Sequence, residues 1–280
     1  MRKLPFKQVD VFTDRSFAGN PVAVVFDADG LSDQQMQRVA KWTNLSETTF
    51  FQTSTKGDYR LRIFSPKSEL PFAGHPTIGS AHAALEAGLV AAGQTSFVQE
   101  CAAGQVPITA EPDGAIMARV PTAKINGSTL DSGQVRAALG ESAVGPVLLI
   151  DVGPKWIVTR VASERQLYRM NPNRAMLSNL SRRVGASGAS VYTIDDSKTV
   201  QVRSFAPAEG VVEDPVCGSG NAAVAAHIRE VGLTEQVGAE YTARQGAALG
   251  RDGRVRIRIE GEDIYLGGLS RTVVDGVLYV

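Results

Sequence analysis

The chain has 280 residues, 43% of them apolar and 21% charged, with 29 Lys and Arg set against 29 Asp and Glu. That length suits two cores of about 130 to 140 residues each, and a formal charge of zero argues against a general nucleic-acid surface, which needs a basic excess. No run of about 18 apolar residues offers a membrane span, and Met1-Arg2-Lys3-Leu4-Pro5 leads into no apolar signal segment.

Residues 6–12 alternate apolar and polar and predict a strand. Gly19-Asn20-Pro21 makes a turn, and residues 22–26 a short buried strand closed by Asp29-Gly30. Ser32 is placed to cap a helix over 33–43, acidic early and basic late as the helix dipole favours. Met36, Val39 and Ala40 share one face of it. Ser46-Glu47-Thr48 then stands before a run rich in β-formers. Taken alone, Glu47 reads as an ordinary turn acid. Residues 59–64 alternate strictly, and Ser65-Pro66 ends that strand.

The stretch 70–80 carries the first chemical cluster, Ala73-Gly74-His75-Pro76. Pro76 suits the first helical position, because its missing N–H would be unpaired there anyway. The helix it opens, 76–87, is apolar on most faces and so expected to be buried, with His75 at its mouth. His82 and His227 fall within helices as packing or surface residues. Three scattered His without carboxylate or Cys at ligand spacing indicate no metal. Short strands follow at 95–100, 105–110 and 115–120, with Cys101 as a small apolar filler. Cys101 and Cys217 are too few and too far apart for a disulfide framework, so a reducing cytoplasm is the expected setting.

Residues 121–145, richer in Gly, Ser and Thr, read as a connection with a short helix at 133–139. Strands are expected at 147–151 and 156–161, a helix across 163–184, and strands at 190–194 and 199–205. Glu213-Asp214-Pro215-Val216-Cys217 then leads to Gly218-Ser219-Gly220 and a small-residue helix ending near Gly232. A helix start of that kind presents unpaired N–H groups and the positive end of a dipole, an anion site made of backbone. Strands at 254–259, 264–268, 270–274 and 277–280 close the chain.

An internal repeat links the halves at an offset of about 141 to 144 residues. Arg60-Leu61-Arg62-Ile63-Phe64-Ser65-Pro66 leads through an acid to Gly74-His75-Pro76 and a small-residue helix. Gln201-Val202-Arg203-Ser204-Phe205-Ala206-Pro207 leads through acids to Gly218-Ser219-Gly220 and another. This predicts an α/β (α+β) chain of two similar domains, 1–120 and 121–264, with strands about 265–280 returning to the first. Each would wrap an antiparallel sheet round one apolar helix. The two helix starts would face one cleft, bringing His75 and Ser219 to a shared pocket.

Four ordered motifs, Gly19-Asn20-Pro21, Asn44-Leu45-Ser46-Glu47-Thr48, Ala73-Gly74-His75-Pro76 and Glu213 to Gly220, resemble those of the PhzF-like (phenazine-biosynthesis) family. The likeness runs from about Val9 to Val280. That family is similar in fold to diaminopimelate epimerase and proline racemase. The resemblance implies pseudo-symmetric domains, a homodimer, Glu47 as the acid/base residue, and His75, Asp214 and Ser219 completing the polar site. In the best-known member trans-2,3-dihydro-3-hydroxyanthranilate is isomerised. A proton leaves one carbon and returns to another, with no cofactor. The substrate does not transfer with the fold; a small carboxylate is implied, with neither nucleic acid nor membrane as partner.

Physical chemistry agrees with those roles. A carbon acid needs a base shielded from water, and a Glu serves where burial raises its pKa toward neutrality. The substrate carboxylate is expected on the N–H groups of Gly218, Ser219 and Gly220, with Gly74 and His75 assisting. Asp214 would either orient a substrate amine or hold His75, and the sequence does not choose. The racemase and epimerase relatives carry two cysteines, one before each helix. Here Ala73 matches Cys217, so a two-thiol racemisation is not expected. Cys217 either packs before its helix or acts as a thiolate favoured by the helix start. Two alternatives stay open: an amino-acid epimerase using Cys217 with Glu47, and a metabolite-binding protein without turnover.

Overall fold

A computed structural model describes residues 2–126 and 130–280. Part of the connection expected across 121–145, residues 127–129, lies outside the described residues. In chain order the elements are β1 (Lys3–Val11), β2 (Asn20–Val25), α1 (Asp33–Thr43), β3 (Thr48–Gln52), β4 (Tyr59–Phe64), β5 (Glu69–Leu70), α2 (Gly74–Glu86), β6 (Ser96–Cys101), β7 (Gly104–Ala110) and β8 (Ile116–Arg119). There follow β9 (Lys124–Asn126), α3 (Ser132–Leu139), β10 (Val144–Asp151), β11 (Lys155–Arg160), α4 (Glu164–Arg169), α5 (Arg174–Val184), β12 (Gly188–Ile194), β13 (Val200–Ala206), β14 (Val211–Asp214), α6 (Gly218–Glu230), α7 (Thr234–Val237), β15 (Glu240–Gln245), β16 (Gly253–Glu260), β17 (Asp263–Gly268) and β18 (Ser270–Tyr279). The chain divides into two compact units, Met1–Arg119 with Gly267–Val280, and Val120–Leu266.

In the first unit β1 lies antiparallel to β18 on one side and to β2 on the other. Then β2 runs parallel to β3, β3 antiparallel to β4, β4 parallel to β6, and β6 antiparallel to β7. Parallel neighbours need a crossover, and α1 and α2 supply the two. Helix α2 is buried along nearly its whole length, from Gly74 to Ala84. A side chain at Gly79 would meet Val22 and Val11 at 2.6 and 2.7 Å, so glycine there lets the helix lie directly on the sheet. Helix α1 covers other apolar residues: Leu4, Val25, Leu31, Met36, Ala40, Phe50 and Phe64 form one cluster. Ser32 caps it in a reciprocal capping box with Gln35, and Asn44 ends it in the left-handed region at φ 55°.

The second unit repeats the order. β10 is antiparallel to β11, β11 parallel to β12, β12 antiparallel to β13, β13 parallel to β15, and β15 antiparallel to β16. Helix α6 is its buried central helix. The α3, α4 and α5 side is filled by Val135, Leu139, Leu167, Leu177, Leu180, Val191 and Phe205. The sheets are thus mixed, each unit having two parallel pairings among the described strands where antiparallel ones were expected.

Other details differ from the sequence reading. The helix expected across 163–184 is two, because Pro172 disfavours helical backbone before it and Asn173 starts α5 afresh by accepting from Met176 N at 3.1 Å. Helix α2 begins at Gly74, which makes Pro76 its third residue instead of its first; proline is tolerated there because first-turn N–H groups lack helical partners. The two terminal strands are one, β18, held in register by β1 across Asp275 and Gly276. Strand β15 was not anticipated: only Ala243 and Gln245 on it are buried, too weak an alternation to read. Among the described residues no helix is long and apolar enough to cross a membrane.

Candidate active site

In the first unit the turn before β3 delivers Glu47 and the start of α2 delivers His75. Glu47 Oε2 lies 3.3 Å from His75 Nε2, with the two side chains 16% and 6% exposed. The approach is a contact short of hydrogen-bond alignment. Burial pushes the His75 imidazole down to about 3, against a smaller upward pull from the Pro21 backbone carbonyl. The ring is therefore neutral at ordinary pH, and this pair is not an ion pair. On the other side of the ring, Asn20 Nδ2 lies 3.5 Å from Nδ1. Below them Thr49 and Ser80 hydroxyls meet at 2.8 Å and Gln99 Nε2 donates to Thr77 Oγ1 at 3.1 Å, so the buried hydroxyls of Thr77 and Ser80 on α2 are paired. Gly74 opens the helix with Ala73 as a cap that offers no side-chain bond.

In the second unit Asp214, Cys217, Gly218, Ser219 and Gly220 come together at the start of α6. Cys217 is the N-cap, its Sγ accepting from Gly220 N at 3.2 Å. The third helix residue must be glycine: a Cβ at Gly220 would stand 2.5 Å from Ser190 Oγ and 2.6 Å from Ser204 Oγ. Asp214 Oδ1 accepts from Val216 N at 3.0 Å, closing the turn that precedes the cap. Desolvation raises the Asp214 carboxyl to about 6, opposed by hydrogen bonds from the Cys217 side chain and Val216 N. Ser219 Oγ accepts from the Trp156 indole at 3.1 Å.

Two residues that the sequence reading overlooked organise this turn. Gln245 Oε1 accepts from Cys217 N at 3.1 Å and from Asn221 Nδ2 at 2.7 Å, while its Nε2 donates to the Asp214 carbonyl at 2.9 Å. Trp156 is the other. Neither carries a local sequence signal, since each reaches the turn from a distant strand.

A third feature does have a signal, the shared Arg-x-Phe of the repeat. Arg203 grips Glu213 bidentately at 2.8 and 2.8 Å and donates to the Leu167 and Met170 carbonyls. Arg62 grips Glu69 at 2.7 and 2.6 Å and donates to Asp33. Both guanidinium groups lie over the aromatic ring two residues on, Phe205 at 4.9 Å and Phe64 at 5.1 Å. The clasps tie β4 to the segment before α2 and β13 to the segment before α6.

Of the remaining sequence candidates, Cys101 is buried and its thiol pushed up by desolvation. His82 touches Glu86 at 3.1 Å, and His227 sits between the Tyr192 hydroxyl at 2.9 Å and the Pro146 carbonyl at 3.1 Å. No group of three or more His, Cys, Asp or Glu among the described residues is placed to hold a metal ion.

The family model described as phenazine biosynthesis-like protein matches residues 9–276. The chain belongs to that family. Antisense-enhancing sequence 1 of Schizosaccharomyces pombe is 39% identical, with 100% of both chains covered. Trans-2,3-dihydro-3-hydroxyanthranilate isomerase of Pseudomonas aeruginosa is 33% identical over 90% of this chain and 89% of its own. The crystal structure of the Bacillus anthracis PhzF-family phenazine biosynthesis protein matches with a TM-score of 0.87 at 26% identity, over 100% of both chains. A hydroxyproline epimerase from Agrobacterium vitis, 15% identical, shares the fold, with a TM-score of 0.68 over 99% of this chain and 92% of its own. The expected α/β, epimerase-like fold of the PhzF family is therefore the fold of this chain, and relatives of this PhzF-family protein include named isomerases.

Proposed function

We propose that this PhzF-family protein is a cofactor-independent isomerase that moves a proton between two carbons of a small carboxylate, with Glu47 as the base and then the acid. One observation carries the reading: a largely covered carboxylate stands 3.3 Å from a buried, neutral imidazole. An imidazolium would hold its neighbour in the charged form. A neutral ring leaves the carboxylate able to take a proton and give it back without breaking an ion pair. His75 then serves as a hydrogen-bond partner to Glu47 or to the delocalised anion, not as a proton source.

The second unit's turn supports substrate binding. Gly220 N–H is committed to Cys217 Sγ, so the N–H groups of Gly218 and Ser219 are the donors for a substrate carboxylate, narrower than the three-residue nest expected. The indole N–H on Ser219 Oγ takes one of its lone pairs, and the same hydroxyl contacts Cys217 Sγ at 3.7 Å, which fixes it at the helix start. Asp214 is the acceptor for an amine or hydroxyl. Cys217 both accepts from Gly220 N and bonds Asp214. That double engagement favours a capping role over a catalytic thiolate.

The test is deuterium uptake from heavy water into trans-2,3-dihydro-3-hydroxyanthranilate and a panel of small unsaturated carboxylates. Glu47→Gln is expected to slow uptake by about 10²–10⁴-fold; undiminished uptake would sink the proposal. Loss in Cys217→Ala with none in Glu47→Gln would establish the epimerase alternative.

A further inference from the structure

Gly19-Asn20-Pro21 has no role in the scheme above, yet its middle residue touches the site. Asn20 is fully buried at the first residue of β2. Its backbone is set from both sides. Val11 is its register partner on β1, and Gly19 N donates to Asp10 Oδ2 at 3.2 Å. Nothing larger than glycine fits before it, because a Cβ at Gly19 would stand 2.1 Å from the Val11 carbonyl. The result is a side-chain amide held at a fixed place, with Nδ2 3.5 Å from His75 Nδ1.

A neutral imidazole carries one hydrogen, and a partner on one nitrogen decides where it sits. An amide NH₂ is a donor only. A ring nitrogen that accepts from it is bare, so the hydrogen is on the opposite nitrogen. Here the opposite nitrogen is Nε2, which faces Glu47 Oε2 at 3.3 Å.

We propose that Asn20 is a positioning residue that sets the tautomer of His75, placing the ring hydrogen on Nε2 toward Glu47. The consequence for proton transfer rests on the reading of Glu47 given above; the tautomer itself does not. With the hydrogen on Nε2, the N–H is on the side of the Glu47 carboxylate, 3.3 Å away, and a small adjustment turns that contact into a hydrogen bond that orients the base. The Pro21 carbonyl also lies against this ring and competes for the hydrogen; without Asn20 it is unopposed. A bare Nε2 would then point its lone pair at the carboxylate oxygen and repel it.

The chain has only three His, so nitrogen NMR of ¹⁵N-labelled protein resolves each ring. The wild-type protein is expected to show His75 with a bare Nδ1 and a protonated Nε2. Asn20→Asp, which replaces the donor by an acceptor, is expected to invert that pattern, and Asn20→Ala to give a mixture. The His227 ring, held between Tyr192 and Pro146, reports in the same spectrum whether a variant is folded. Protonated Nδ1 in the wild-type protein would overturn the proposal without any variant, since it would require the Asn20 amide to face the ring by its oxygen. An unchanged His75 pattern in a folded Asn20→Asp would overturn it too. The expected tautomer together with undiminished deuterium uptake in Glu47→Gln would break the isomerase reading and leave the tautomer assignment standing.

Discussion

The two central helices begin in the same place in two repeats and are built differently there. α2 opens Ala73-Gly74-His75-Pro76 and α6 opens Cys217-Gly218-Ser219-Gly220. The first has no capping side chain and carries an imidazole that burial keeps neutral. The second is capped by a thiol and carries a hydroxyl fixed by an indole. The strand before each helix pair sharpens the contrast. Thr48 pairs with Phe64, and Ala189 pairs with Phe205, so Glu47 and Gly188 hold matching positions. A Cβ at Gly188 would lie 2.0 Å from the Phe205 carbonyl. The second unit therefore has no room for an acid where the first presents one. Under the proposed function that difference is a division of labour from one scaffold: one copy would supply the proton-transfer group and the other a backbone anion cradle.

The largest test of that contrast is chemical. Glu47→Gln should remove about 10²–10⁴-fold of deuterium uptake while leaving the denaturation midpoint almost unchanged, whereas Ser219→Ala should chiefly raise KM. Next come the two arginine clasps. Arg203 and Glu213 side chains are 8% and 9% exposed, so Arg203→Ala strands a buried charge and should lower stability by about 3–5 kcal/mol. The Arg62 partners are more open, and Arg62→Ala should lower it by roughly 1 kcal/mol. Equal losses in urea unfolding would show that the clasps are equivalent after all. Gly188→Ala should cost about 3 kcal/mol by forcing backbone apart; a neutral result would remove the steric reason for the missing acid.

The two sites should also respond to pH in opposite directions. His75 is neutral in the folded chain down to about 3, against 6.5 for an ordinary imidazole. Its contribution is present above about 6.5 and lost as pH falls toward 3, because the unfolded chain binds the proton first. Asp214 is raised from 3.8 to about 6. Its protonated form favours the folded state, and that contribution is lost as pH rises from about 4 through 6. Thermal melts across pH 4 to 7 should therefore show Asp214→Asn gaining Tm relative to the parent at the upper end, and His75→Gln gaining at the lower end, by about 2–4 °C per kcal/mol. Parallel pH curves for both variants would refute the opposition. The smallest effect concerns the cap: Cys217→Ala should cost about 1 kcal/mol and Cys217→Ser less, read by the same melts.

Much of this was legible in the residues. Alternation marked β1, β4 and β13, the Ser32 cap marked α1, and the repeat of Arg-x-Phe followed by a small-residue helix announced two similar folds. Glu47 and His75 stand out in two separate motifs, but nothing in the sequence pairs them. What could not be read was contact. Gln245 and Trp156 reach the α6 start from strands far along the chain, so no spacing rule connects them to it. Strand β15 hid because only two of its residues are buried. The break between α4 and α5 has a sequence signal in Pro172.

By itself the sequence determined the backbone of most segments and which polar side chains stand at the helix starts, because periodicity, caps and turn residues act over a few neighbours. Only the tertiary structure decided the state of those side chains. Packing makes His75 neutral, commits Gly220 N–H to Cys217 Sγ, sets Asn20 against the imidazole, and closes the Gly188 position to an acid. Desolvation and steric exclusion depend on every atom nearby, whatever its distance along the chain, and so they appear only when the chain is folded.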